Sequence, residues 1–537
     1  VMTKIACVVK KGMYRDSMRL LKITEEVKKM RGIVDASIVM GTPTNKELLD
    51  MAGLLTKEAK DAGESDMIIS VLMQDDVNFQ DIINTISTLI EGEVKAASKE
   101  KFSSIEEALQ ALPDSKFAIV SIAGEYAFPV VKELLDKGLH VQLFSDHVPL
   151  KDEVELKKYA VQRGLFLLGP GAGTSIIGGI GLGFANAVKR GDIGIVAAAG
   201  TGLQEVSSIL SNIGSGISQG MGVGGGDVKD GVGGIMSLAT IHALEEDPAT
   251  RYVCFISKPP DAQTLAKIEN FIESSTKKKY VLCFLGSDKI ESSERIKHVR
   301  SLHSAAAACA KLQGADVYNH FMKNIHLSLE KILSLTEPEY SKINKGQSFV
   351  RGLYTGGTLS YESQIIISSL LDNVFSNAPL DKSFKLKDSF KSFQNTIVDL
   401  GEEEFTKGRA HPMIDPTVRR LRLLQEAKDE SVACIALDFV LGYGANSDPV
   451  GSIIESIKNA KEIASKDGRY LPILAHVCGT DNDPQVKTSQ ERMLKDNGVL
   501  VFNTNAQMAL AGAIISSKGE LSDNKLKYVF ESYMEAS

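Results

Sequence analysis

Two stretches combine threonine, glycine and a helical pattern in a way that suits anion binding. Residues 193–207 read IGIVAAAGTGLQEVS, and residues 352–364 read GLYTGGTLSYESQ. Each is an apolar run, then a Thr/Gly turn, then helix-forming residues. That order describes a buried strand feeding a turn that opens a helix. A helix N-terminus presents amides without intrahelical acceptors and the positive end of a dipole, so it attracts phosphate or carboxylate. The candidate phosphate-binding residues are therefore Gly200, Thr201 and Gly202, with Thr355, Gly356, Gly357 and Thr358. A GTG junction is often only a tight turn, but the second copy favours a function.

Other residues could complete such a site. Gly224-Gly225-Gly226-Asp227 follows a short apolar run and precedes a helical pattern at 235–245. That order favours a site wall over a floppy loop, so Gly225, Gly226 and Asp227 are candidate substrate contacts. Helix ends carry no net charge, and a cation would strengthen an anion site. Arg409, in the sequence Gly408-Arg409-Ala410-His411-Pro412, is the best candidate because guanidinium binds oxyanions bidentately. His411 could donate a proton or polarise a carbonyl, although a histidine before proline is commonly structural. Asp415 could instead cap the helix that opens at Pro416. Asp481 and Asp483 make a weak metal candidate, and no metal is expected. His476 reads as a core histidine. Lys11 and Arg15 in the KKGMYRDS turn could meet an anion or simply face solvent.

The elements that would position these residues follow from the length and pattern of the chain. Its 537 residues exceed one core. The hydrophobic fraction of 43% and charged fraction of 24% are those of a soluble globular protein, and a net charge of −7 gives no electrostatic case for nucleic acid. No apolar run approaches a membrane span, and the opening VMTKIACVVKKG reads as a strand and basic turn, not a signal peptide. The six cysteines are scattered without CxxC spacing, which fits a reduced, cytoplasmic compartment. Alternating strand and helix patterns give an α/β fold class with several parallel-sheet domains. The expected divisions are an N-terminal α/β unit at 1–92, a charged connector, and a Rossmann-like unit at 116–190. A second α/β domain follows at 191–312, then a mainly helical connector at 313–345 and a carboxyl domain at 346–537. The last domain repeats the order of elements seen in 191–312.

The motifs RGLFLLGPGAG, GDIGIVAAAGTGLQEVSSIL, GMGVGGGDVKDGVGG and ALEEDPATRYVCFISKPP resemble the succinyl-CoA synthetase α subunit. The C-terminal region resembles the carboxyl domain of the β subunit of that enzyme. The resemblance implies a Rossmann-like CoA-binding-type domain followed by two flavodoxin-like domains, without the ATP-grasp half. The motifs MGTPTNK, AGEYA, FSDHV, GTGLQEV, SKPP, GLYTGGTL, GRAHPMIDP and GTDNDPQ resemble the FdrA family over nearly the whole chain.

Two departures from succinyl-CoA synthetase bear on activity. Its phosphorylated histidine sits in a Gly-His-Ala-Gly context. Here Gly286 is followed by SDKIESSERIKHVRSLHSAAAAC, so that loop reads as deleted and His298 and His303 as structural. The nucleotide-binding half is also missing. The FdrA resemblance implies instead one subunit of an oxamate carbamoyltransferase of anaerobic allantoin breakdown, working with two other polypeptides. Oxalurate and phosphate would give oxamate and carbamoyl phosphate, with no further cofactor required. Two other readings stay open. One is a CoA-dependent acyl transferase or ligase binding CoA near Gly124 and 169–173, weakened because Lys10-Lys11-Gly12 replaces the usual Gly-rich turn. The other is a non-catalytic scaffold that assembles its partners.

Overall fold

The computed structural model describes residues 2–96, 102–287 and 292–535. The chain divides into two compact units, residues 1–113 with 400–422, and residues 114–399 with 423–537.

In the first unit, Thr3–Lys10, Met67–Gln74 and Ile33–Met40 form a three-stranded sheet with Met67–Gln74 in the centre. Both pairings are antiparallel, unlike the parallel sheets of the second unit. The central strand is buried along both faces, which explains its unbroken apolar run MIISVLM. One face packs against Leu20, Ile23 and Val27 of helix Ser17–Lys28 and Ile82 and Ile86 of helix Phe79–Ala96. The other face meets Leu49, Leu54 and Ala59. Asp16 caps the first helix through the amides of Met18 and Arg19. Segment 400–422, expected in the carboxyl domain, belongs to this unit instead. Its tie is local and polar. The Thr44 hydroxyl donates to the Glu404 carbonyl at 2.9 Å, and Gly408 lies against Thr42. The expected connector after residue 92 begins later, since helix Phe79–Ala96 runs past that point. Its residues 97–101 lie outside the described residues.

The second unit holds three sheets within its own chain segments. The short strands Phe117–Val120, His140–Leu143 and Leu167–Leu168 pair in parallel in sequence order, the Rossmann-like arrangement expected there. The expected boundary at residue 190 is crossed, because the hairpin Thr174–Ile177 and Ile180–Gly183 joins the following sheet. That sheet has the parallel order Ile296–Val299, Lys279–Phe284, Tyr252–Ser257, Arg190–Ala197, Ile217–Gly222 before the hairpin. In chain order this is the 2-1-3-4-5 arrangement of flavodoxin-like folds. The third sheet is parallel throughout, in the order Val374–Phe375, Asn395–Asp399, Phe349–Tyr354, Val432–Val440, Ile473–Cys478, Leu500–Phe502. Every residue of Val432–Val440 is buried, as helices on both faces require. The expected connector contains the helices Ala315–Asn324 and Leu329–Tyr340.

Both Thr/Gly turns follow the first strand of a parallel sheet. In each sheet that strand is where the chain reverses its direction of travel. Open α/β sheets form ligand crevices at that point, beyond the carboxyl ends of the strands.

Candidate functional site

The two turns meet. Strand Arg190–Ala197 leads into helix Gly200–Asn212, and strand Phe349–Tyr354 into helix Gly357–Ser368. The amide of Thr358 donates to the Thr201 hydroxyl at 3.1 Å, so one helix N-terminus abuts the other. Glycine is needed at this contact. A Cβ on Gly202 would stand 2.9 Å from Ile256 Cγ2 and 3.1 Å from Thr358 Cγ2. A Cβ on Gly356 would stand 3.0 Å from Thr201 Cγ2. Gly202→Ala is expected to cost about 1–3 kcal/mol through overpacking and to spread the two helix ends. Thermal melts check the first effect. Loss of sulfate binding beyond what the melts explain checks the second.

The two ends are not equivalent. At the second turn, Asp438 of strand Val432–Val440 accepts the amides of Thr355 and Gly356, each at 2.7 Å, and the Thr355 hydroxyl. Asp438 is fully buried. Its carboxylate takes the place that phosphate was expected to take at Thr355 and Gly356. This corrects the expectation for those residues. Asp399, ending strand Asn395–Asp399, crowds Gly357, where a Cβ would lie 2.7 Å from Oδ2. At the first turn, Gly200, Thr201 and Gly202 open their helix without a side-chain cap. Their amides point out of the first turn with no intrahelical acceptor. The candidate anion donors are therefore the amides opening the first helix, while Thr201 and Thr358 join the two ends.

Like dipole ends in contact repel, and buried carboxylates around them offset that repulsion. Behind each threonine, four residues along its helix, lies a glutamate: Glu205 behind Thr201 and Glu362 behind Thr358. Both are about 1% exposed. Glu205 Oε2 lies 2.7 Å from His476 Nε2, and His476 Nδ1 lies 3.2 Å from the Phe502 carbonyl. Both ring nitrogens thus face acceptors. Burial works against ionisation of Glu205. His476, Lys487 and the Asn505 amide nevertheless hold its carboxyl below the usual range. Glu362 accepts from the Leu302 amide at 2.7 Å and from Asn505 Nδ2 at 2.8 Å. Burial pushes its carboxyl up to about 7. His476 is a core histidine as expected, but its carboxylate partner was missed. The repeated Thr-x-x-x-Glu spacing was a signal available in the sequence.

The GGGD loop has a different role from the one expected. Asp227 accepts from the Met236 amide at 3.0 Å and the Ser237 amide at 2.7 Å, so it caps helix Ile235–Glu246. Its carboxylate also receives Lys157 Nζ at 2.9 Å, and Lys157 binds Glu153 at 2.7 Å. A Cβ on Gly226 would lie 2.8 Å from Glu153 Oε2, so this glycine makes room for that triad. Asp227 is a structural anchor, and Gly225 and Gly226 are the backbone that delivers it.

Arg409 and His411 lie in the first unit. Arg409 donates to Asn45 Oδ1 at 2.9 Å and to Asp415. It is therefore a paired cation and not a free one. Burial opposes the charge on Asp415, yet Arg409 and Thr417 hold its carboxyl below the ordinary range. Asp415 also accepts the Thr417 amide at 3.0 Å, the capping role considered for it. His411 Nδ1 accepts the Met413 amide at 3.2 Å. Burial lowers its pKa to about 4, so it is a neutral imidazole at pH 7. A neutral ring can donate a hydrogen bond from Nε2, but it is a poor source of a full proton.

Asp483 accepts Asn186 Nδ2 at 2.8 Å and the amides of Ala187 and Thr480. Asp481 accepts the Thr488 amide at 2.8 Å. Asp483 therefore serves backbone and side-chain donors, and Asp481 a backbone donor. Among the described residues no group of three or more His, Cys, Asp or Glu side chains is placed to hold a metal ion. No described helix is long and apolar enough to cross a membrane. His303 is buried against His326 and Thr504, with its pKa lowered to about 3 by burial. His298 pairs with Glu269 at 3.2 Å. Both fit the structural role expected of them. The loop position where a phosphorylated histidine was sought includes residues 288–291, outside the described residues, but 287–297 contains no histidine in sequence.

Comparison with known proteins gives two domain matches. Residues 353–515 match the family described as CoA-ligase, and residues 2–107 match that described as AllF, heavy metal-associated domain. Soft metals take thiolate, thioether or imidazole ligands. Residues 2–107 hold one cysteine, Cys7, half-buried in mid-strand with its thiol pushed up by burial, and no histidine. The segment therefore offers no pair of cysteines or histidines to such a metal. The chain is 37% identical to the uncharacterized protein YahF of Escherichia coli over 96% of this chain and 99% of that one. It is 27% identical to the succinate–CoA ligase [ADP-forming] subunit alpha of Methanothermobacter thermautotrophicus, over 37% of this chain and 67% of that subunit. Among solved structures, the dinucleotide-forming acetyl-coenzyme A synthetase 1 of Ca. Korarchaeum cryptofilum aligns at 14% identity with a TM-score of 0.29, over 78% of this chain and 86% of that one.

Proposed function

Since this chain belongs to the same family as the Escherichia coli protein YahF and joins an AllF-type domain to a CoA-ligase domain, we propose that it is an FdrA-type subunit of an oxamate carbamoyltransferase. A phosphate oxygen attacks the ureido carbonyl of oxalurate. The carbon–nitrogen bond breaks, the nitrogen takes a proton and leaves as oxamate, and carbamoyl phosphate forms. The observation that carries this reading is the apposed pair of helix ends at Thr201 and Thr358, kept in a chain with no histidine at 287–297. The site thus has donors for an oxyanion, and the segment 287–297 offers no histidine to phosphorylate. The amides of Gly200, Thr201 and Gly202 hold phosphate oxygens, and the Thr201 hydroxyl fixes the distance between the ends. Arg409 and His411, in the first unit, are separate proposed contributors to activity, one a paired guanidinium and the other a neutral hydrogen-bond donor.

The test is phosphate-dependent consumption of oxalurate by the chain co-expressed with two partner polypeptides in a cytoplasmic complex. Thr201→Val is expected to lower kcat/KM for phosphate at least tenfold. Unchanged activity in Arg409→Lys and His411→Gln would remove those two residues from the mechanism. Absence of any oxalurate turnover in the complex would overturn the reading.

A second reading is an acid–thiol ligase or CoA transferase, favoured by the CoA-ligase match and the succinate–CoA ligase relatives. Calorimetry with CoA separates the two. Binding that survives Gly200→Asp and is lost on substitutions beside Gly124 would support this second reading.

A further inference from the structure

Thr201 and Thr358 sit at the ends of two helices whose positive poles touch, and each helix buries a glutamate four residues further on. Asn505 ties these glutamates together. Its side-chain nitrogen donates to Glu362 Oε2 at 2.8 Å, and its amide lies 3.4 Å from Glu205 Oε1. Two carboxylates in one buried cluster cannot both ionise without a cation, and one histidine stands there. His476 is already spent on Glu205, at 2.7 Å. Glu362 has only neutral donors, the Leu302 amide and the Asn505 side chain. The positive charge facing its helix is that of Lys258, whose Nζ lies 4.8 Å from the ring centroid of Tyr361, one residue before Glu362; this lysine is exposed, so solvent screens it. Asp399 crowds Gly357 at its N-terminus, Tyr354 donates to Ser363 one residue beyond Glu362, and Cys283 is a buried thiol within electrostatic reach of Glu362. Lys487 acts on Glu205 from the far side.

From this arrangement we propose that Glu362 is a positioning residue that takes up a proton when an oxyanion binds at the paired helix ends. The inference rests on the phosphate reading given above. An anion at Gly200–Gly202 adds negative charge to a cluster that already holds Glu205, Asp399 and Asp438. Glu362 is the member that relieves the repulsion by accepting a proton from solvent. Its ordinary carboxyl value is shifted upward by burial, so the change falls near neutral pH. The sign follows from linkage. Below the folded-state value Glu362 is already neutral and binding needs no proton. Above it, binding must pull a proton in, and affinity falls as pH rises.

Inorganic sulfate is the probe, because its charge is constant between pH 6 and 8. Calorimetry on the full chain, alone and in the co-expressed complex, is expected to show sulfate binding weakened by about fivefold or more from pH 6 to pH 8. Repeating the pH 8 titration in buffers of different ionisation enthalpy should show net proton uptake between zero and one. Glu362→Gln should bind with a flat pH profile. Equal pH slopes in wild type and Glu362→Gln, or no proton uptake by the wild type, overturn the proposal while leaving the anion site standing. If neither sulfate nor inorganic phosphate binds at any pH in the chain or the complex, the phosphate reading itself falls. If Glu362→Gln does not fold, the proton count on the wild type decides alone.

Discussion

Lys157→Met is expected to destabilise the protein by about 3–5 kcal/mol. The ammonium is fully buried and joins Glu153 at 2.7 Å to Asp227 at 2.9 Å, with a third bond to the Val223 carbonyl at 3.2 Å. Methionine fills similar space but leaves two carboxylates facing each other without a cation. The loss thus comes from stranded charge and not from a cavity. Thermal or urea melts would show it, and a double variant identifies the cause. Adding Glu153→Leu removes one stranded carboxylate, so Lys157→Met/Glu153→Leu should be more stable than Lys157→Met alone. Additive losses in the two substitutions would contradict the account. Asp227 is the member to keep, because it also caps helix Ile235–Glu246.

Asp438→Ala is expected to lose about 3 kcal/mol and to gain affinity for small oxyanions. The carboxylate is the acceptor for the amides of Thr355 and Gly356 and for the Thr355 hydroxyl. Removing it strands three buried donors, each costing about 1–3 kcal/mol when unpaired, less what water recovers in the space left behind. The same donors then face an empty place of carboxylate size. Sulfate should occupy it, and saturating sulfate should raise the melting temperature of Asp438→Ala more than that of the wild type. Equal sulfate-induced shifts in the two proteins would show that the second turn is not an anion site even when uncapped.

Much of this architecture was readable from local pattern. The apolar runs at 432–437 and 280–284 mark strands covered on both faces, and the Thr/Gly turns announced the helix starts that follow them. What pattern could not reveal was partnership across long sequence separations. Asp227 looked like a ligand residue because it ends a glycine run. Its partner Lys157 lies on helix Leu150–Gln162, and no local signal joins the two. Arg409 looked like a spare cation, yet Asn45, far back in the chain, and Asp415 use two of its nitrogens. Asp438 is one aspartate inside the apolar run VACIALDFV, and its pairing register with the neighbouring strand sets it beside Thr355. The strand boundary at residue 190 was misplaced for the same reason, because the hairpin 174–183 pairs with strand Ile217–Gly222, more than thirty residues on.

Asp438 also gives the paired helix ends a direction. Two uncapped ends would accept a tetrahedral oxyanion facing either helix, and the attacking oxygen could point two ways. With one end closed by an internal carboxylate, those two poses differ in energy by the repulsion between like charges. On the proposed reading, a phosphate at this place would turn its charge-rich side to Gly200–Gly202 and offer its remaining oxygen on one side only. A single fixed aspartate would thereby set the line along which a second reactant approaches.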